Sequence, residues 1–147
     1  MGHWSSHLSP DEIRRVSERA IDRAISRFRV RHMNDTKWRE VLTVLKSPEC
    51  PIRYIRLKFV DSDNVILSGG QFTIVNDSWC DGFPGPFSFR EIEWMDIPKS
   101  YSVERGSKGT PPSEHEQDVS AFRAALDKLG QLPIREQRDG IRIVAYE

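Results

Sequence analysis

The sequence predicts an α+β fold: a single antiparallel sheet of about five to six strands packed with two to three helices. Three observations predict it. Apolar residues recur at three- and four-residue steps in the first third of the chain and again near residue 120. In the middle and at the end the period falls to two. The strand-like runs are joined by turn signals, among them Asp61-Ser62-Asp63-Asn64, Gly69-Gly70 and Asp139-Gly140, so hairpin pairing is expected.

The first helix opens at Ser9-Pro10-Asp11-Glu12, where a serine cap, a proline at the first helical position and a glutamate three residues after the serine coincide. Ile13, Val16, Ala20, Ala24 and Phe28 then form one apolar stripe. Arginines 14, 15, 19, 23, 27, 29 and 31 fill much of the remainder. A second helix is predicted from Asn34-Asp35-Thr36, with Trp38, Val41, Leu42 and Leu45 inward, stopping before Pro48. The predicted organisation is a basic helix over residues 1–33, appended to an α+β domain over 34–147.

After Pro51 the alternation of Ile55, Leu57 and Phe59 with charged residues gives a strand with one buried face. Val65 to Leu67 is a short strand, and Phe72, Ile74 and Val75 begin another. Gly82, Pro84, Gly85 and Pro86 make Asp77 to Pro86 a loop, since glycine and proline weaken regular pairing. Phe87 to Ile97 returns as a strand whose phase slips between Phe89 and Ile92, which calls for a bulge or bend near Arg90 and puts Trp94 inward with Ile92. Residues 98–112 read as a polar connection. Ser113 and Glu116 then make a capping box for a third helix with Val119, Phe122, Leu126 and Leu129 on its stripe. A hairpin through Asp139-Gly140 closes the chain.

A chain of 147 residues is the size of one ordinary domain and can bury a core without staples. Its net charge is zero, so no long-range field would recruit a polyanion, and nucleic acid is not the expected partner. The charge is uneven, however. Residues 1–47 hold ten Lys/Arg and six Asp/Glu, and residues 48–104 hold five and nine. The two cysteines, Cys50 and Cys80, form no disulfide framework or metal-ligand spacing, and a reduced, cytoplasmic setting is expected. No apolar run is long enough for a membrane span.

Chemistry is sparse. The histidines (His3, His7, His32, His115) stand near neither cysteine, and there is no G-x-S-x-G turn, P-loop lysine or G-x-G-x-x-G. The informative stretch is Trp79–Pro98, WCDGFPGPFSFREIEWMDIP, where aromatics interleave with carboxylates. Trp79, Phe83 and Phe87 flank a proline- and glycine-rich loop, as binding anchors or as a plug for the end of the sheet. Asp77, Asp81, Glu91, Glu93 and Asp96 would steer a basic partner or, in the alternative, ligate a divalent cation for hydrolysis.

Lys37-Trp38, Trp79 with Asp81-Gly82, the Gly85-Pro86 turn, Ile92-Glu93-Trp94-Met95-Asp96-Ile97 and the closing Ile141–Tyr146 strand together resemble a family of small uncharacterised bacterial proteins. The likeness spans about residues 34–147 and departs at Cys80, which separates Trp79 from Asp81. The resemblance implies a compact domain similar in size and style to immunity proteins that neutralise bacterial toxins. The expected function is therefore a non-enzymatic binding domain without a cofactor. Its partner residues would be Asp77, Trp79, Asp81, Phe83, Phe87, Glu91, Glu93 and Asp96, and its basic first helix would serve a homodimer contact or an arm.

Overall fold

The computed structural model describes residues 10–69, 72–82, 85–104, 106 and 109–147, with the side chains of 10–17 left aside. The fold is α+β. Helices α1 (Pro10–Ile25), α2 (Asp35–Lys46) and α3 (Val119–Asp127) accompany a five-stranded antiparallel sheet of β1 (Ile55–Phe59), β2 (Val65–Ser68), β6 (Ile92–Pro98), β9 (Ile134–Gln137) and β10 (Gly140–Val144). The strand order is β2-β1-β6-β10-β9. Two small sheets join it: β3 (Thr73–Ile74), β4 (Trp79–Asp81) and β5 (Phe87–Ser88), then β7 (Ser100–Val103) with β8 (Ser113–Glu116). The five-stranded antiparallel sheet with its three helices is the fold that the sequence predicts, and among the described residues two small sheets are added to it.

Helix α2 starts where expected. The Asn34 side chain accepts from the Lys37 N–H at 2.8 Å, satisfying a donor that the first helical turn leaves open. Trp38, Val41, Leu42 and Leu45 are buried, and they meet Val119, Phe122 and Leu126 of α3. Both helices cover the sheet face made by Ile55, Leu57, Met95, Ile97, Ile141 and Ile143, each at most 3% exposed. The C-terminal half of α1 joins the same core through Ile21 and Ala24, and Phe28 packs on Tyr146 with ring centroids 5.4 Å apart.

Several local expectations are corrected. Ser113–Glu116 is strand β8, not a capping box, and α3 is capped five residues after Ser113, by Asp118 accepting from Ala121 N–H. Within residues 98–112, Ser100–Val103 is strand β7, because β8 supplies its hydrogen-bond partners. Residues Trp79–Asp81 of the expected loop pair on both sides as β4. The slip between Phe89 and Ile92 is a 3₁₀ turn over Phe89–Glu91, capped reciprocally by Ser88 and Glu91. The bulge falls further on. Phe59 faces Ile92 while Lys58 faces Trp94, so Glu93 is the extra residue. Ala145 N–H donates to the Glu93 carbonyl at 2.9 Å.

That bulge turns Trp94 around. Ile92, Met95 and Ile97 keep the helix-covered face, and Trp94 and Asp96 take the opposite one.

Candidate functional site

The small sheet positions the middle of the aromatic–acidic segment. In β4 the alternation sends Cys80 inward, fully buried, and leaves Trp79 half-buried and Asp81 exposed on the other side. The turn before it is held by Asn76, whose side-chain oxygen accepts from Ser78 N–H at 2.9 Å. Val75 N–H donates to the Trp79 carbonyl at 3.1 Å, and Phe89 N–H to the Ser78 carbonyl at 2.9 Å. This tight turn presents Val75, 62% exposed, and the Asp77 carboxylate, 93% exposed and paired with Arg39 of α2. Beyond β4, Gly85 N–H closes back on the Gly82 carbonyl at 2.5 Å. Phe83, the other expected anchor, lies outside the described residues.

Phe87 is core. It is 3% exposed, 5.1 Å from the Phe59 ring and edge-on to Phe72 at 5.6 Å, so it plugs the sheet end and offers a partner no surface. Glu91 is a structural cap. One of its oxygens accepts from both the Ser88 N–H (2.5 Å) and the Ser88 hydroxyl (2.9 Å). Burial pushes the Glu91 carboxyl above its ordinary range against those two bonds, helped by the nearby Asp61 charge. The Cys80 thiol is pushed up to about 12 by burial, then by Asp81 and Glu91, which makes it inert as a nucleophile.

The remaining two carboxylates sit on the far face of the main sheet. Lys58 donates to Glu93 at 2.6 Å, with both side chains 17% exposed. Arg142 grips Asp96 through two nitrogens, at 2.6 and 2.9 Å, and its guanidinium carbon lies 3.8 Å over the Trp94 ring. Asp77, Asp81, Glu91, Glu93 and Asp96 therefore do not converge: four are committed to Arg39, Ser88, Lys58 and Arg142 respectively. Among the described residues no three histidine, cysteine, aspartate or glutamate side chains gather as a cation site.

What this arrangement can do is bind by contact. At the small sheet, exposed Asp77 and Asp81 stand two residues either side of half-buried Trp79, whose carbonyl accepts from the N–H of exposed Val75. Trp94 and Arg142 are not legible as a pair in the sequence because Trp94 lies in β6 and Arg142 in the last strand, brought together only by strand pairing. Among the described residues no helix is long and apolar enough to cross a membrane.

Residues 22–147 match a family of unknown function, DUF6678, and the chain belongs to that family. No curated protein and no solved structure matches the chain.

Proposed function

We propose that this member of the family is a non-enzymatic protein-binding domain of the immunity type, which neutralises a basic bacterial toxin in the cytoplasm by occupying it. One observation carries the reading. Trp79 is half-buried next to exposed Val75, with exposed Asp77 and Asp81 two residues either side of it, whereas Trp38 is 1% exposed. A half-buried tryptophan on a rigid strand loses little entropy on contact and supplies a large apolar area, which is how interface anchors work. Asp77 and Asp81 would speed encounter with a basic surface and fix its orientation.

Native mass spectrometry of the untagged protein from its own host tests the reading. The expected result is a stoichiometric complex with a basic protein, and Trp79→Ala should weaken it by ~2 kcal/mol or more, about thirtyfold in Kd. An unchanged affinity in a variant that keeps its unfolding midpoint would remove Trp79 from the interface. A lone chain carrying a small molecule or cation would overturn the binding reading itself.

A further inference from the structure

The net charge of zero conceals a one-sided helix. Arg19, Arg23 and Arg27 follow one another at four-residue steps, along α1 and the helical turn that continues it through the Ser26-to-Asp22 and Arg27-to-Ala24 backbone bonds. All three are exposed, and so is Arg29, just beyond the turn. The side chains of these four arginines make no hydrogen bond or ion pair with any described residue. Asp22, between Arg19 and Arg23 in the chain, is already paired with Arg90 of the 3₁₀ turn, and the C-terminal Glu147 lies at the far end, where its carbonyl accepts from Arg29 N–H and Val30 N–H. Glu18 is the one other carboxylate of this stretch, at its N-terminal end.

The ridge is held rigid from behind. Ile21 and Ala24, 5% and 4% exposed, fix the opposite side of the helix in the core, with Ile25 and Phe28 packed against it. Four-residue steps along a helix place successive guanidinium groups about 6 Å apart along the axis. We propose that this ridge binds the phosphodiester backbone of a nucleic acid, a function separate from the acidic face around Trp79.

The surroundings of the ridge favour this occupant over the others. A lipid surface would need the helix's apolar face, and among the described residues that face is spent on the core through Ile21, Ala24, Ile25 and Phe28. A protein interface would need a desolvated apolar centre, whereas the ridge offers only Val30 at its end, 46% exposed. A row made only of arginine, each a planar fork of donors, suits repeated phosphates.

The test is fluorescence anisotropy with a labelled short DNA duplex and with oligo(U), across a range of salt. The expected result is binding at low salt that falls steeply as salt rises. Each ridge arginine that meets a duplex phosphate contributes about 0.9 to the log–log slope. The triple variant Arg19→Gln, Arg23→Gln, Arg27→Gln should lose roughly tenfold or more in affinity, and its slope should drop by about 3. Lys128→Gln, an exposed cation elsewhere, should change neither. No binding at low salt would overturn the proposal. So would a triple variant that binds like the parent, or a parent that binds polyglutamate and anionic vesicles as well as it binds the duplex.

Discussion

The guanidinium of Arg142 lies 3.8 Å over the ring of Trp94 while gripping both oxygens of Asp96, two residues along the same strand. Strand register makes this possible: Arg142 faces Asp96 directly, and Val144 faces Trp94, so the long arginine reaches diagonally across the ring. The Asp96 bond and its charge push the Arg142 guanidinium further up from its already high range. Lysine keeps the charge but has no planar fork and stacks poorly. Arg142→Lys should therefore destabilise the protein by about 1–2 kcal/mol, seen as a lower midpoint in urea at an unchanged slope.

Glu91 gives a pH signature. Its carboxyl is raised in the folded state, so the group favours the folded form most below its unfolded pKa. That contribution is lost as pH rises through the folded value. Glu91→Gln keeps an oxygen for Ser88 but removes the buried charge, so stability should lose this pH dependence and should not fall at neutral pH. Glu91→Ala removes the cap and should cost about 1 kcal/mol. Urea titrations at a series of pH values check both.

The two thiols should differ. Cys50 is half-buried and Cys80 fully buried, with the Cys80 thiol held at about 12. Iodoacetamide at mildly alkaline pH should label Cys50 slowly and spare Cys80 until denaturant is added, as peptide mass mapping would show. Labelling of Cys80 at the rate of Cys50 in the native protein would contradict the inward placement of β4.

Gly140 is where the final hairpin touches the central strand. Its φ is +134°, and a Cβ built there would stand 2.0 Å from the Ile97 carbonyl oxygen and 3.0 Å from the Pro98 Cα. Both neighbours are backbone and cannot swing aside. Gly140→Ala should cost about 3 kcal/mol or more and lower the thermal midpoint accordingly.

Elements with strong periodicity were legible in the sequence. Trp38, Val41, Leu42 and Leu45 of α2 are buried as their spacing predicts, and so are Val119, Phe122 and Leu126 of α3. Strand β8, Ser113–Glu116, was not legible, because SEHE carries no apolar alternation and exists only through its pairing with β7. The inward prediction for Trp94 failed for a related reason. A bulge is a property of two strands, and the partner residue Lys58 lies far up the chain. The carboxylates show the same limit. Arg39 and Asp77 are 38 residues apart, Lys58 and Glu93 are 35, and Asp96 and Arg142 are 46, so local sequence could mark them as acidic but not as paired.

Gln117 ties three elements together through one amide. Its oxygen accepts from Arg53 N–H (3.0 Å) and Tyr54 N–H (3.3 Å), and its nitrogen donates to the Tyr54 carbonyl (2.8 Å) and the Pro98 carbonyl (2.7 Å). The lead-in to β1, the end of β6 and the approach to α3 thus share a single side chain. Gln117→Glu is nearly isosteric yet replaces the donor with a carboxylate oxygen that faces two carbonyls. The variant should lose about 2 kcal/mol at neutral pH, since two acceptors are left unsatisfied against a negative charge. Protonation restores a donor, so the new carboxyl should titrate above the ordinary range. Much of the lost stability should then return as pH falls toward that of a free carboxyl. Urea midpoints of parent and variant at acid and neutral pH check the sign: the gap between them must narrow on acidification. A gap that stays constant or widens would mean the Nε2 bonds to Tyr54 and Pro98 do not hold this junction.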